Sequence, residues 1–184
     1  MILLLIGLLL IIAIHLLPAL PAIRGSLVDR LGEKTYRLLF SVVSLLAVIL
    51  LAMGMGQAEY VPLWGELPFG RDLAPVLMAV SVFLLTVAYV PSNLRRLLRN
   101  PMLWAVVFWA LSHLLVAGHL AAVMLFGGLG AYALYAIFWR GGRREWQSAE
   151  PRAWPWDLLT LVVAGLVYGA LLWAHPRLFG VAVL

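Results

Sequence analysis

Four histidines are the side chains of this sequence with the clearest capacity for chemistry: His15, His113, His119 and His175. Each lies in or beside a long apolar stretch, and these stretches hold no Asp, Glu, Lys or Arg away from their ends. Polar residues at membrane depth are costly and usually functional. The pattern argues against a proton pump or ion-coupled transporter with a buried carboxylate, and it directs attention to imidazole chemistry.

The depth of each histidine in a membrane follows from the rise of its helix. His113 lies roughly 18 Å along its helix from Pro101, and His15 lies roughly 13 Å from the same side in a helix of opposite direction. His175 lies roughly 27 Å along the last helix, so it is expected at the outer surface. His119 follows the fourth apolar stretch in an uncharged turn and is expected at that surface too.

The inner pair, His15 and His113, fits a buried haem with two imidazole ligands, because neutral imidazole binds iron well and haem is apolar enough to lie between helices. The alternative for this pair is a hydrogen bond across helices. The outer pair, His119 and His175, could bind a metal or act in acid–base chemistry. The alternative for the outer pair is a solvated interfacial role.

Sequence motifs for other chemistries are absent. The chain has no cysteine, which excludes thiolate metal sites, iron–sulfur clusters, cysteine nucleophiles and covalently attached c-type haem. It has no HExxH, Gly-rich phosphate loop or GxSxG motif. Ser112 adjoins His113, but adjacent residues of a helix do not face each other, so a catalytic serine–histidine pair is not expected.

Apolar helices must position these histidines. Of the 184 residues, 65% are hydrophobic and 11% are charged, whereas a soluble domain carries about a quarter charged residues. A membrane-crossing helix needs roughly 20 mainly apolar residues. The sequence therefore predicts an all-α polytopic membrane protein, a six-transmembrane-helix bundle in a single domain over residues 1–184. The predicted spans are about Ile2–Pro21, Tyr36–Gly56, Leu73–Val90, Pro101–Gly118, His119–Trp139 and Leu158–Phe179.

The basic residues predict the orientation of the spans. Eleven of the 13 Lys and Arg residues lie in the loops after the first, third and fifth spans. Cytoplasmic loops carry the excess of Lys and Arg, so both termini are predicted to face outward. In so apolar a chain these clusters indicate topology and lipid contact, and no nucleic acid partner is expected.

Longer motifs extend over nearly the whole chain. They are His15-Leu-Leu-Pro-Ala-Leu-Pro-Ala-Ile-Arg24, Leu31-Gly-Glu-Lys-Thr-Tyr-Arg37, Leu94-Arg-Arg-Leu-Leu-Arg-Asn-Pro-Met-Leu-Trp104, Trp109-Ala-Leu-Ser-His113, Leu125-Phe-Gly-Gly-Leu-Gly-Ala-Tyr132 and His175-Pro-Arg-Leu-Phe-Gly-Val181. Together they resemble the NnrU family, bacterial integral membrane proteins named for a link to nitrite and nitric oxide reduction. That family includes the zeta-carotene cis–trans isomerase of plants and cyanobacteria, which uses haem b held by histidines.

The resemblance implies one haem b between the first and fourth helices, because His15 and His113 match the family's histidines. It implies redox-dependent cis–trans isomerisation of a carotenoid-like polyene. The alternatives are a haem-containing sensor or accessory protein for nitrite and nitric oxide respiration, and a haem-free membrane scaffold or assembly factor. The chain departs from the family at Asn100, where histidine is usual, and at His119, where an acidic residue is usual.

Arg24, Arg96 and Arg99 lie on the side of the nearer face of the expected haem. One or more of them is expected to pair with the haem propionates, because interfacial carboxylates need cationic partners; the alternative is contact with anionic lipid headgroups. The expected partners are the lipid bilayer, a hydrophobic polyene substrate and an electron donor. The expected location is a bacterial inner membrane, with both termini periplasmic.

Overall fold

The computed structural model describes residues 1–65, 67–140 and 151–180. Helices account for most of these residues. A 3-10 turn, Leu17–Ala19, follows the first helix. The helices are α1 (Ile2–Leu16), α2 (Pro21–Leu31), α3 (Glu33–Gly56), α4 (Gly70–Tyr89), α5 (Leu94–Leu97), α6 (Pro101–Val116), α7 (Leu120–Trp139) and α8 (Pro155–Phe179).

Five helices within the described ranges are long and apolar enough to cross a membrane: α1 with its 3-10 turn, α3, α4, α7 and α8. The remaining predicted span corresponds to α6, which has 16 residues. A helix of that length covers about 24 Å, less than the roughly 30 Å of a hydrocarbon core. The all-α membrane fold class is confirmed, and the count of six spans is not. The outward position of both termini depends on that count and stays a prediction.

Helix boundaries differ from the predicted spans where glycine and proline interrupt the chain. The backbone of Gly32 has a φ of 78°, so α3 begins directly after it at Glu33 rather than at Tyr36. The first helix is shorter than the predicted span Ile2–Pro21, because α1 stops before Pro18 and α2 begins at Pro21. Proline lacks the N–H that an inner helical position needs, and it is favoured at the first position of a helix.

The chain divides into two compact units. The first comprises Met1–Trp64 with Gly118–Leu129, and the second comprises Gly65–Ala117 with Gly130–Leu184. His15 and His119 belong to the first unit, whereas His113 and His175 belong to the second. The single domain over residues 1–184 stays a prediction.

In the first unit α1 packs closely against α3 through two glycines. A Cβ atom at Gly7 would lie 2.8 Å from the backbone nitrogen of Leu51, and one at Gly54 would overlap the backbone of Leu4. Such backbone approach is the usual way in which apolar helices associate in lipid, where burial of apolar surface supplies little attraction. Leu4 and Leu8 of α1 and Leu51 of α3 form a buried cluster here together with Ala121 of α7.

The turn before α7 is tied to the loop that follows α3. The carbonyl of Gly118 accepts hydrogen bonds from the backbone N–H groups of Leu63, at 2.8 Å, and Trp64, at 3.0 Å. The N–H of Leu120 donates to the carbonyl of Val61 at 2.9 Å. A side chain at Gly118 would clash with Trp64, so this close pairing requires glycine.

In the second unit α4 and α6 are joined by two serine hydroxyls. Ser81 donates to the carbonyl of Ala105 and Ser112 to the carbonyl of Ala74, each at 2.8 Å. Both serines are buried. The hydroxyl beside His113 is therefore used to join helices, which agrees with the expectation that Ser112 is not a catalytic partner of that histidine.

Helix α8 is fixed to α4 at two heights. Near one end of α4, the hydroxyl of Tyr168 donates to the carbonyl of Pro75 at 2.9 Å. Just beyond the other end, the carboxylate of Asp157 accepts from the backbone and side-chain N–H groups of Asn93, at 2.7 and 2.8 Å. The two contacts set the register of α8 along α4.

Helix α7 contains a wider turn of π-helix, Val123–Gly127, and a second such turn, Ala136–Arg140, begins inside it and ends one residue beyond it. A π turn adds one residue to the helix, so it rotates everything after it by about 100° relative to an uninterrupted α-helix. The face that each side chain of α7 presents therefore differs from the one that the period of the sequence predicts.

Candidate functional site

His15 lies at the end of α1 with its proton position set by its own helix. The ring Nδ1 lies 2.9 Å from the carbonyl of Ile11, one turn earlier. A carbonyl only accepts, so Nδ1 carries the proton, and in the neutral ring Nε2 is the basic nitrogen. The ring edge also contacts Phe40 of α3, with 5.2 Å between centroids. Metal-binding histidines commonly have this arrangement, in which the nitrogen away from the metal donates to a carbonyl.

The face of α3 that carries Phe40 also carries two buried hydroxyls. Tyr36 and Ser44 lie one turn to either side of Phe40, so all three share one helix face. Tyr36 is 8% exposed. Within the described ranges, neither the Tyr36 hydroxyl nor the Ser44 hydroxyl has a hydrogen-bond partner. Buried hydroxyls without partners are costly, so they mark a place where a ligand with polar groups would be stabilised.

Arg24 of α2 lies at the Tyr36 end of this face. Its guanidinium stands over the Tyr36 ring, 5.6 Å from the centroid, and it pairs with the Glu33 carboxylate at 3.2 Å. Glu33 also accepts from Arg37 at 2.8 Å. A haem propionate would have to compete with Glu33 for Arg24. The pairing of Arg24 with a propionate stays a prediction.

His113 of α6 repeats the arrangement of His15. Its Nδ1 lies 2.8 Å from the carbonyl of Trp109, one turn earlier, so Nδ1 donates and Nε2 is the basic nitrogen. The ring packs against the ring of Trp109, with 5.3 Å between centroids. The two histidines predicted as haem ligands therefore share one tautomer, each set locally by its own helix.

The ring of His113 also lies beside that of His175 on α8, with 6.4 Å between centroids and 39° between planes. The expectation that His175 lies at a different depth from His113 is therefore wrong. Helix α6 ends only three residues after His113, and the ring of His175, which also contacts Phe179 at 5.0 Å, lies near the end of α8. Because α6 has only 16 residues, His113 already lies near the end of its helix.

His119 has a structural role at the start of α7. Its Nδ1 accepts a hydrogen bond from the backbone N–H of Ala122 at 3.4 Å, which makes it the N-cap of the helix. In the neutral ring the proton is then on Nε2, the opposite tautomer to that of His15 and His113. The ring also contacts Tyr60, with 5.2 Å between centroids. The N-cap is a structural role that neither the predicted metal site nor the solvated interfacial alternative included, and metal binding by His119 stays a prediction.

Arg96 and Arg99 follow α4 in the second unit. Arg96 is partly buried with its Nε atom fully enclosed, whereas Arg99 is exposed. No cluster of three or more His, Cys, Asp or Glu side chains that could hold a metal ion occurs in the part of the chain that the structure describes. A haem iron needs fewer protein donors than such an ion, and imidazole nitrogen is a suitable donor for it. Imidazoles such as those of His15 and His113 would therefore suit haem b.

Three residues outside the predicted site each have a buried hydroxyl without a partner in the described ranges: Tyr36, Ser44 and Ser92. For the first two a signal existed, since Tyr36, Phe40 and Ser44 follow each other at four-residue intervals in an otherwise apolar helix. Ser92 follows a proline in a loop, and nothing in the pattern distinguishes it from an ordinary turn serine.

The family model described as "NnrU protein" matches residues 3–183, almost the whole chain. The chain belongs to the NnrU family. Comparison with curated proteins and with solved structures found no match. The resemblance noted from the motifs is thus confirmed, and the apolar helices of this NnrU protein are consistent with an integral membrane protein.

Proposed function

We propose that this NnrU protein is a haem b-binding integral membrane protein whose ligands are His15 and His113. The observation that carries the proposal is the shared tautomer: each ring donates Nδ1–H to the carbonyl one turn earlier, at 2.9 and 2.8 Å. Each ring can therefore offer a basic Nε2 without a change of proton position. Haem b, when bound, would supply a redox-active iron.

The residues around His15 support the proposal through the polar groups of haem. A haem has an apolar plane and carboxylate-bearing edges, so it needs apolar contacts and hydrogen-bond donors at once. Phe40 supplies an apolar contact. The hydroxyls of Tyr36 and Ser44, which have no partner among the described residues, can supply the hydrogen-bond donors. Arg24, over the ring of Tyr36, adds positive charge at the same end of the face.

The finer proposal is that the protein acts on a long apolar polyene by redox-dependent cis–trans isomerisation. Many large apolar side chains of α3 and α8 are exposed, as expected for faces that contact lipid. A polyene dissolved in the bilayer would reach such faces without passing through water. The role of this chain's own residues would be to hold the conjugated segment in an apolar environment beside the haem ligands.

The first experiment is a reduced-minus-oxidised absorbance spectrum of the protein purified from cells supplied with 5-aminolevulinate. We expect a low-spin spectrum of two-histidine type. His15→Ala and His113→Ala should each abolish it or convert it to high-spin. His119→Ala is the matched control and should leave the spectrum intact, because its Nδ1 caps α7. Absence of haem from the wild-type protein would reject the proposal.

His175→Ala identifies the second ligand, because the ring of His175 lies beside that of His113. We expect this variant to keep the two-histidine spectrum. If it loses that spectrum while His15→Ala keeps it, the ligand pair is His113 with His175. Incubation of the loaded protein with a poly-cis carotene, compared with titration of nitric oxide, then separates an isomerase from a sensor or accessory protein of nitrogen-oxide respiration.

A further inference from the structure

The segment between α4 and α6 is held in a fixed shape by one asparagine. The side-chain amide of Asn93 donates to the carbonyl of Arg152 at 2.8 Å and accepts from its N–H at 2.9 Å. The Asp157 carboxylate accepts from both the backbone and the side chain of Asn93. Every polar group of the Asn93 side chain is thereby used to position this turn.

Two polar atoms of the same turn are buried and unused. Ser92 is 3% exposed, and within the described ranges its hydroxyl has no hydrogen-bond partner. The Nε atom of Arg96, four residues later, is enclosed and equally unpaired among the described residues. Ser92 comes just before α5 and Arg96 lies within it, and the carbonyl of Ser92 accepts from the N–H of Arg95 at 3.3 Å. A hydroxyl and a guanidinium donor thus belong to one short turn.

The acid that contacts this segment, Asp157, is engaged by Asn93. Both oxygens of Asp157 accept hydrogen bonds from Asn93. The loop itself carries Arg95, Arg96 and Arg99 and has no acidic residue. A guanidinium with an enclosed N–H needs an acceptor, and an anion that accepts two or more hydrogen bonds is the strongest one available.

We propose that Ser92 and Arg96 form a binding site for the phosphodiester group of a membrane phospholipid. The phosphodiester is a pure acceptor that matches a hydroxyl donor and a guanidinium. The site begins three residues after α4, a helix apolar enough to cross a membrane, and lipid phosphates occupy the level where such helices end. The exposed Arg95 and Arg99 would attract anionic lipid without selecting one. The proposal does not rest on haem binding.

The test compares two lipids with identical dioleoyl tails, phosphatidylglycerol and diacylglycerol, which lacks the phosphate. Native mass spectrometry of the purified protein measures retention of each lipid in titrations. We expect wild type to retain phosphatidylglycerol and not diacylglycerol. Arg96→Gln should weaken phosphatidylglycerol binding by about tenfold, because it removes a charge-assisted hydrogen bond. Arg99→Gln, the control with the same charge change on an exposed residue, should weaken it by less than about twofold.

Two serine variants keep the test decisive if Arg96→Gln does not fold. Ser92→Ala removes only the hydroxyl and should weaken phosphatidylglycerol retention by several-fold, whereas Ser92→Thr keeps the hydroxyl and should retain most of it. Equal losses for Arg96→Gln and Arg99→Gln would show diffuse attraction and overturn the site. Equal binding of diacylglycerol would overturn it as tail recognition. Unchanged lipid retention with a lower haem content in Arg96→Gln would assign the site to a haem carboxylate instead.

Discussion

Replacing Tyr36 with Phe removes one buried hydroxyl and keeps the ring, which contacts Arg24 and Phe40. Within the described ranges that hydroxyl has no hydrogen-bond partner. An unsatisfied buried polar group costs about 1–3 kcal/mol. In the haem-free protein Tyr36→Phe should therefore raise the free energy of unfolding, by about 1 kcal/mol at the lower end of that range.

Haem should reverse the sign of this effect. If the Tyr36 hydroxyl bonds a polar group of bound haem, Tyr36→Phe loses one hydrogen bond of about 1 kcal/mol in the loaded protein. Since the haem-free protein is stabilised by about 1 kcal/mol and the loaded protein is destabilised by about 1 kcal/mol, the binding free energy falls by about 2 kcal/mol, which raises the haem dissociation constant about thirtyfold. One substitution would thus stabilise the haem-free protein and weaken haem binding.

Tyr168→Phe is the matched control, because it makes the same chemical change at a hydroxyl that is used. Tyr168 donates to the carbonyl of Pro75 at 2.9 Å, so its loss should destabilise haem-free and loaded protein alike by about 1 kcal/mol. Unfolding in mixed detergent micelles, followed by circular dichroism, gives the stabilities. Titration of haem by absorbance gives the affinities.

Two results would refute the reasoning about Tyr36. If Tyr36→Phe destabilises the haem-free protein as much as Tyr168→Phe does, the Tyr36 hydroxyl already has a hydrogen-bond partner. The face of α3 then has no unsatisfied group for a ligand to bind. If Tyr36→Phe leaves the haem affinity unchanged, bound haem does not meet that face, and the supporting role given to the residues around His15 fails.

Three further predictions concern packing and topology. Gly54→Ala should lower the free energy of unfolding by about 1–3 kcal/mol, because its Cβ would overlap the backbone of α1. Gly56→Ala should leave it nearly unchanged, because a Cβ there meets nothing within 4 Å. Thermal unfolding of both variants tests this. Ser112→Ala should lower the free energy of unfolding by about 1 kcal/mol, because it loses the hydrogen bond to α4. A stability equal to that of wild type in the same assay would contradict this contact. Reporter fusions at Gln57 should report an outer location and those at Gly142 an inner one; the reverse result would reject the predicted orientation.

Most helices could be predicted from the sequence because apolar length alone determines them. The predicted span Leu73–Val90 became Gly70–Tyr89, and Leu158–Phe179 became Pro155–Phe179. The additional first residues include the charged Arg71, Asp72 and Asp157, so a hydropathy pattern begins after them. Backbone hydrogen bonds nevertheless continue beyond the apolar segment, since the helix still satisfies its N–H and C=O groups there.

The contact between His113 and His175 could not be predicted, because it depends on the register of α8 against its neighbours. Helical rise converts residue number into height only for straight, untilted helices that begin at one level. Here α8 begins beside Asn93, which precedes the turn leading to α6. Side-chain contacts such as Tyr168 with Pro75 set this register, and they are tertiary contacts that no single-segment pattern contains.

The proton positions of the histidines belong to a different class of property, because they are local. In an apolar helix the nearest acceptor for a ring N–H is the carbonyl one turn earlier, as His15 and His113 show. At a helix start the nearest groups are unpaired backbone N–H donors, so His119 accepts through Nδ1 instead. Position within a helix thus determines which nitrogen of a neutral ring remains basic. The sequence contains that information, whereas the direction in which the basic Nε2 points depends on helix rotation and only the folded chain determines it.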